Sequence, residues 1–499
     1  MQASRRARLS HSMRIKKLIK SLGNSICPHG INDFDVRGIS CNSKDVRNGF
    51  IFVAVRGSRD DGNKFIDEAV VNGAKAVVIS ASALSPPCKK VCFIKVFDSR
   101  KALAKLAVEF YGNPSSKIKV VGITGTNGKT TIAYLLEALL KEAGYSVGVI
   151  GTINYRFKDK IIVSKNTTPG PIELQSILSD MLREGVRYAI MEVSSHALDQ
   201  DRAGGVNFRS AIFTNLTQDH LDYHKTLEHY FKAKSRLFSS LSSDSFALIN
   251  SDDKYSKKLK KITKAKVITY AIDSKADIVA KDIKFEPSHT EFRLVGFKDE
   301  INFKVPLIGK HNIYNVLAAI AWAKNEGIKT RIIKEAIEKF SPVPGRLERV
   351  NFNAGFSVFV DYAHTVDALK NVIQSLRQIS ENRIIVVFGC GGDRDKTKRP
   401  KMGYVVTELS DYAIITSDNP RSEDPQEIIK DIRKGITKNN YCIIPQRYEA
   451  IKKSLSLAKP GDIILVAGKG HENYQVVKDR AMPFDDREVI KECLMSTNY

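Results

Sequence analysis

One stretch constrains this chain more than any other: Val121-Gly122-Ile123-Thr124-Gly125-Thr126-Asn127-Gly128-Lys129-Thr130-Thr131 joins a strand-like run, Ile118 to Ile123, through glycines to a helix-like run, Ile132 to Ala143. Glycines let backbone N–H groups approach an anion, and the helix N-terminus behind them adds partial positive charge. Lys129 offers a point charge for outer phosphates, and Thr130 or Thr131 a hydroxyl for Mg²⁺. Ile132, Leu135, Leu136, Leu139 and Leu140 form one apolar stripe, and Gly144 stands where a C-cap belongs. Strand, turn and helix together predict a nucleoside triphosphate site. The common spacing would put a glycine at position 123, where Ile stands, so the tight unit is Gly125-Thr-Asn-Gly128-Lys-Thr.

A chain of 499 residues exceeds what one hydrophobic core organises, so two or three domains are expected. No apolar run reaches membrane-spanning length, and Arg5, Arg6 and Arg8 are not followed by a signal-peptide core. A cytoplasmic location without membrane insertion is therefore expected. Residues 1 to 12 read as a basic preface to an amphipathic start at Met13. Seven cysteines, at 27, 41, 88, 92, 390, 442 and 493, are scattered; Cys88 and Cys92 are close, yet nothing completes a zinc site, which predicts free thiols. The 79 basic against 55 acidic residues give +24, which suits nucleic acid, anionic lipid or polyphosphate partners. The densest basic stretch, Lys254 to Lys266, has sparse aromatics and reads as a solvated helix face rather than an RNA site.

Phe50 to Val55 and Ala76 to Ser80 read as strands of an amino-terminal unit ending near Tyr111-Gly-Asn-Pro-Ser-Ser116. Beyond it, Val147 to Gly151, Tyr188 to Val193 and Ala211 to Asn215 alternate with helical patterns, the signature of an open parallel sheet covered on both faces. A second boundary lies near Phe340-Ser-Pro-Val-Pro-Gly345. The last part has strands at Ser357 to Val360, Ile384 to Phe388, Tyr412 to Thr416 and Asp462 to Val466. Each runs into a polar or glycine-rich loop: Asp361-Tyr-Ala-His364, Gly389 to Arg394, Ser417 to Arg421 and Ala467 to Glu472. Parallel strands open on one edge, so the four loops are expected to converge.

Glu192 ends an apolar strand, where a carboxylate can hold Mg²⁺ beside phosphates. Asn215-Leu-Thr-Gln-Asp-His-Leu-Asp-Tyr-His224 packs oxygen donors and imidazoles without a HExxH pattern, so a Mg²⁺ shell with His220, or a satisfied loop network, fits better than zinc.

Thr124 to Thr131, Glu192-Val-Ser-Ser-His-Ala197, Asn215 to His224, His311-Asn-Ile-Tyr-Asn315, Gly345-Arg-Leu-Glu348 and Asp361 to His364, in order along nearly the whole chain, together resemble the Mur ligases of peptidoglycan synthesis. The shortened glycine loop is the form that family uses. The resemblance implies an α/β chain of three domains: 1–113, a small α/β uridine-binding domain for the UDP-substrate; 114–342, a central P-loop parallel-sheet ATPase domain; and 343–499, a Rossmann-like amino-acid-binding domain. It also implies an ATP- and Mg²⁺-dependent amide ligase. A carboxylate of a UDP-N-acetylmuramoyl-dipeptide attacks the γ-phosphate, and an amine displaces phosphate from the acyl phosphate. The Asp418-Asn-Pro420-Arg421 motif resembles the form selective for meso-diaminopimelate as that amine. No nucleic-acid partner and a monomeric chain are expected.

Position by position, the resemblance puts Gly125, Thr126, Asn127, Gly128, Lys129, Thr130 and Thr131 around the phosphates, and Asn315, Arg346 and Asp361 at adenine, phosphate and ribose. Thr130 and Glu192 would serve one Mg²⁺; His220 and Lys234, the latter as a carbamate, a second. Ser43 falls in the uridine motif, although the chain reads Asn42-Ser43-Lys44 where the family has Asp-Ser-Arg, and Val366 replaces a usual proline. Thr167, Thr168, Ser194, Gln200 and Arg202 match positions that grip the muramoyl dipeptide. Arg394 and Arg421 can each fork onto a carboxylate, Asp418, Asn419 and Glu472 can take an ammonium, and Gly468 permits close approach. A lysine-adding ligase, folylpolyglutamate synthetase and a P-loop nucleic-acid-binding protein are the alternatives.

Overall fold

The computed structural model describes residues 12–23, 32–57, 60–83, 91–296, 299–352, 354–478 and 480–496. The basic preface up to His11, Cys27 and Cys88 lie outside them. The chain divides into two compact units, Met1–Gly122 with Tyr145–Ser210, and Ile123–Gly144 with Ala211–Tyr499.

In the first unit, Gly38–Ser40, Phe50–Val53, Ala74–Ser80 and Cys92–Val96 form an all-parallel sheet. Successive strand residues point to opposite faces, so Ile51, Val53, Ala76 and Val78 enter one core and Phe52, Ala54, Val77 and Ile79 another. Helix Ser99–Phe110 seals the first core through Leu103 and Leu106, and Ile172 of helix Pro171–Arg183 packs against it. That packing joins the amino-terminal sheet to part of the segment expected as the central domain. The same unit carries the strand order Lys160–Val163, Asn154–Phe157, Val147–Ile150, Tyr188–Glu192, Lys119–Thr124. Tyr188–Glu192 runs parallel to Val147–Ile150, but the outer two strands form an antiparallel hairpin. No glycine marks that hairpin, because Lys158 takes the left-handed turn position, at φ 48°.

In the second unit, Phe246–Asn250, Lys266–Ala271 and Ile278–Phe285 are parallel and lead into an antiparallel meander with Thr290–Gly296 and Asp299–Val305. The expected all-parallel central sheet therefore has antiparallel flanks. The carboxy-terminal sheet orders its strands Glu348–Val350, Ser357–Asp361, Ile463–Ala467, Ile384–Phe388, Tyr412–Ile415, Tyr441–Ile443, all parallel after the first. Ile384, Val386 and Phe388 face helices Val366–Ile379, Lys398–Leu409 and Pro425–Arg433; Ile385 and Val387 face Arg447–Leu457 and Asp486–Ser496. This doubly covered sheet opens its strand ends toward the four polar loops. Among the described residues no helix is long and apolar enough to cross a membrane.

Candidate functional site

Strand Lys119–Thr124, whose last two residues belong to the second unit, ends in the glycine loop, and helix Lys129–Glu142 starts at Gly128 without a side-chain cap. All five stripe residues of that helix are buried, each contributing about 1.5–3 kcal/mol if fully desolvated. Gly144 at φ 78° closes the helix, its N–H on the Lys141 carbonyl. Two loop glycines are obligatory. At Gly125 (φ 149°) a Cβ would sit 1.8 Å from Thr214 Oγ1, and at Gly128 (φ 89°) 2.3 Å from Asn315 Oδ1. The loop is fixed from behind: Asn127 N–H donates to Asn215 Oδ1 (3.0 Å), and Thr214 Oγ1 to the Asn127 carbonyl (2.6 Å). These contacts leave a glycine cradle at a helix N-terminus, which suits a nucleotide's phosphates.

Three cations surround the cradle. Lys129 Nζ donates to the carbonyls of Gly125 (2.9 Å) and Thr126 (2.8 Å). Lys234, on helix Leu227–Ser239 and 1% exposed, donates to the same Gly125 carbonyl at 2.7 Å. Burial, then the neighbouring Lys129 charge, push the Lys234 amine far below its ordinary pKa. Arg346 donates to Thr130 Oγ1 (3.2 Å), stacks over the Tyr362 ring, and keeps a buried Nε without a hydrogen-bond partner. An orphaned guanidinium N–H beside a phosphate cradle fits an anionic ligand.

Asp361 sends one oxygen to Leu347 N–H (2.6 Å) and the other to Ala363 N–H (2.7 Å), so it also ties the Arg346 loop down; burial raises its pKa. Asn127 reaches Asp367 at 3.1 Å across the glycine loop. His220, at φ 54° and 38% exposed on its side chain, lies 3.3 Å from Asp219. Burial alone would raise the Asp219 carboxyl, but His220, His364 and Lys398 hold it below the ordinary range. Lys398 Nζ donates to the His364 carbonyl at 2.9 Å. Asp219, Asp367 and Lys398 were not singled out by sequence reasoning; only Asp219 lies in a quoted motif. Val366 is harmless as a proline replacement, because it is the first helical residue behind the Thr365 cap, where no intrahelical acceptor exists.

A second cluster in this unit is built by the converging carboxy-terminal loops. Asn419 Nδ2 donates to Glu472 Oε2 at 2.8 Å, while its Oδ1 accepts from Val476 N–H (2.9 Å) and Lys469 Nζ (3.4 Å). Asn419 thus has its amide oxygen filled by two donors and one amide N–H committed to Glu472. Gly468, at φ 114°, lets Asp418 approach: a Cβ there would stand 2.5 Å from Asp418 Oδ2. Burial, and then Asp418, raise the Glu472 carboxyl. Arg421, at φ 53°, anchors Nη1 on the Gly392 carbonyl (2.8 Å) and pairs its backbone with Val476. A Cβ on Gly391 would meet both Arg421 and Arg394, so the two guanidinium side chains flank one glycine; Arg394 is exposed. Pro420 is buried, its carbonyl against Gly392.

The first unit holds a separate network. Glu192, buried, accepts from Thr152 N–H (3.0 Å) and Thr152 Oγ1 (2.9 Å), and Gly151 makes room for it. Thr152 in turn meets Thr167 at 3.1 Å. Thr168 is 0% exposed, donating to the Glu192 carbonyl (2.8 Å) and accepting from Ser194 N–H (3.0 Å). Its hydroxyl thus braces Ser194 against the Glu192 carbonyl. Arg202 is braced by Gln200 Oε1 at 2.6 Å and reaches the Thr168 carbonyl at 3.4 Å. Ser43 stands apart, donating to Glu68 at 2.6 Å, with Asn42 capping its turn. Among the described residues no group of three or more His, Cys, Asp or Glu could cage a metal.

Models of three Mur ligase segments match the chain: the family's catalytic domain at residues 35–111, the middle domain at 123–323 and the glutamate ligase domain at 345–470. The UDP-N-acetylmuramoyl-L-alanyl-D-glutamate–2,6-diaminopimelate ligase of Clostridium tetani is 46% identical over 97% of this chain and 99% of its own length. The ligase of the same name from Aquifex aeolicus is 46% identical over 92% and 94%. A solved structure of a ligase with that name is similar at a TM-score of 0.66 and 32% identity, covering 93% of this chain and 96% of its own.

Proposed function

We propose a function from the premise these matches supply: the chain belongs to the Mur ligase family. It is an ATP- and Mg²⁺-dependent amide ligase that adds meso-diaminopimelate to UDP-N-acetylmuramoyl-L-alanyl-D-glutamate, in the cytoplasm. Residues 1–113 take the nucleotide-sugar substrate, with Ser43 in the uridine motif; 114–342 take ATP; 343–499 take the incoming amino acid.

A carboxylate is a poor electrophile, so the D-glutamyl side-chain carboxylate attacks the γ-phosphate, ADP leaves, and an acyl phosphate forms. The diaminopimelate amine then adds to the acyl carbon, loses its proton, and phosphate departs. The protein's work is positioning and charge neutralisation. Lys129 and Arg346 neutralise phosphate oxygens, Asn315 meets adenine and Asp361 ribose. Thr130 and Glu192 would each offer Mg²⁺ an oxygen, and His220 with Lys234 as a carbamate would hold a second ion; bound Mg²⁺ would supply charge neutralisation for the phosphoryl group. What supports Lys234 in this role is its suppressed pKa, since only a neutral amine adds to CO₂ to give a carbamate ligand. Ser194, Gln200 and Arg202, with Thr167, hold the dipeptide.

The observation that carries the choice of acceptor is the charge order in the carboxy-terminal cluster. Arg421 and the stem of Arg394 both border Gly391, Asp418 lies against Gly468, and the Asp418 charge acts on Glu472. An amino acid with a distal carboxylate satisfies both ends, whereas lysine would leave an arginine unpaired. The test is phosphate release with the UDP-muramoyl-dipeptide and ATP, comparing meso-diaminopimelate, L-lysine and no acceptor. Release is expected with diaminopimelate alone, and equal rates with lysine would overturn the assignment.

A further inference from the structure

Lys469 has no place in the steps above, yet it is 0% exposed in the middle of the acceptor cluster. It lies in the loop after strand Ile463–Ala467, between Gly468 and Gly470, both at positive φ. Its Nζ contacts Glu472 Oε2 (3.3 Å), Asn419 Oδ1 (3.4 Å) and, most closely, the Tyr474 carbonyl. Three segments are thus pinned by one ammonium: the loop bearing Asn419, the loop bearing Glu472, and strand Tyr474–Val477, whose Val476 N–H also donates to Asn419.

We infer that Lys469 is a positioning residue for the acceptor amino acid, fixing which atoms Asn419 and Glu472 present to it. An asparagine amide is ambiguous until its partners choose an orientation. Here the two donors, Lys469 and Val476 N–H, occupy Oδ1 and turn the NH₂ group inward. One of its hydrogens goes to Glu472 Oε2 and the second is directed at a ligand carboxylate. Glu472 Oε2 accepts from both Lys469 and Asn419, which assigns Oε1 to the ligand ammonium. Lys469 also supplies a compensating charge where burial and Asp418 disfavour the Glu472 carboxylate. Being fully buried, it acts through these two residues and not on the ligand.

This inference rests on the diaminopimelate reading, so the test keeps the two apart. Wild-type enzyme must first show diaminopimelate-dependent phosphate release; failure there overturns the function and leaves Lys469 out of it. With that control met, Lys469→Met is expected to raise the acceptor KM by about 30-fold or more while the ATP KM stays within about twofold, as truncating one member of a buried charged pair does. Lys469→Arg, which keeps the charge, recovers part of that loss. In a Glu472→Gln background the same Lys469→Met change has a much smaller effect, since the group it acts through is already altered. Equal rises in both KM values, or fully additive effects in the double variant, would overturn the inference. If Lys469→Met does not fold, the Lys469→Arg and Glu472→Gln pair decides it by the same split: an unchanged acceptor KM in Lys469→Arg with no shift in Glu472→Gln refutes the inference.

Discussion

Two lysines are completely buried near the proposed chemistry, and they sit in opposite electrostatic settings. Lys234, beneath the glycine loop, shares the Gly125 carbonyl with Lys129, a second cation. Lys469, in the acceptor cluster, has a carboxylate, Glu472, at 3.3 Å. A buried amine beside another ammonium sheds its proton and becomes a nucleophile. A buried amine beside a carboxylate becomes a clamp whose removal strands the partner's charge. The same residue type thus gives reactivity in one region and orientation in the other.

The sharpest break of that comparison is at Lys234. Lys234→Ala is expected to lower kcat by about 10³-fold, the scale of losing one group that stabilises transition-state charge. Short-chain carboxylic acids should restore part of the activity by replacing the carbamate oxygens, a rescue that a merely structural lysine does not allow. Full activity in the alanine variant would refute the role. Next in size is Arg421→Ala, expected to raise the diaminopimelate KM by about 100-fold with little change for ATP, because it leaves the distal carboxylate without its charged partner. Similar rises for both substrates would move Arg421 out of the acceptor site.

Sequence reasoning reached these two regions unequally. The glycine loop was legible because one local pattern, strand, glycines, Lys-Thr, helix, encodes the whole cradle, and Gly125 and Gly128 are fixed by φ as well as by space. The four carboxy-terminal loops were also legible, since strand alternation alone predicts their convergence. What each side chain does there was not. Lys469 lies in one of those loops, but its ammonium is tied to the Tyr474 carbonyl of strand Tyr474–Val477, and the orientation of the Asn419 amide depends on Val476, 57 residues away. The sharing of the Thr168 hydroxyl between the Glu192 carbonyl and Ser194 likewise spans more than twenty residues and no local pattern announces it. The antiparallel hairpin at Lys158 escaped for a local reason, the lack of a glycine at its turn.

A third buried cation gives the smallest and most discriminating check. Arg399, 1% exposed on its side chain, bridges Glu423 and Asp431, and Lys396 adds a second cation at 3.1 Å from Glu423. If a carboxylate partner makes a buried cation a clamp, this site should contribute stability that follows Glu423 ionisation. The Arg399 hydrogen bond, with the Asp393 N–H and Lys396, outweighs burial and lowers the Glu423 carboxyl from 4.5 to about 2. A depressed folded-state pKa means that the contribution is complete above the ordinary value and disappears as pH falls through about 2. Glu423→Gln is therefore expected to cost about 1–3 kcal/mol near neutrality by chemical denaturation. The gap between wild type and variant should narrow between pH 4.5 and 2. A gap that stays constant across that window would assign the loss to packing around the side chain, and the rule drawn from Lys234 and Lys469 would not extend to Arg399.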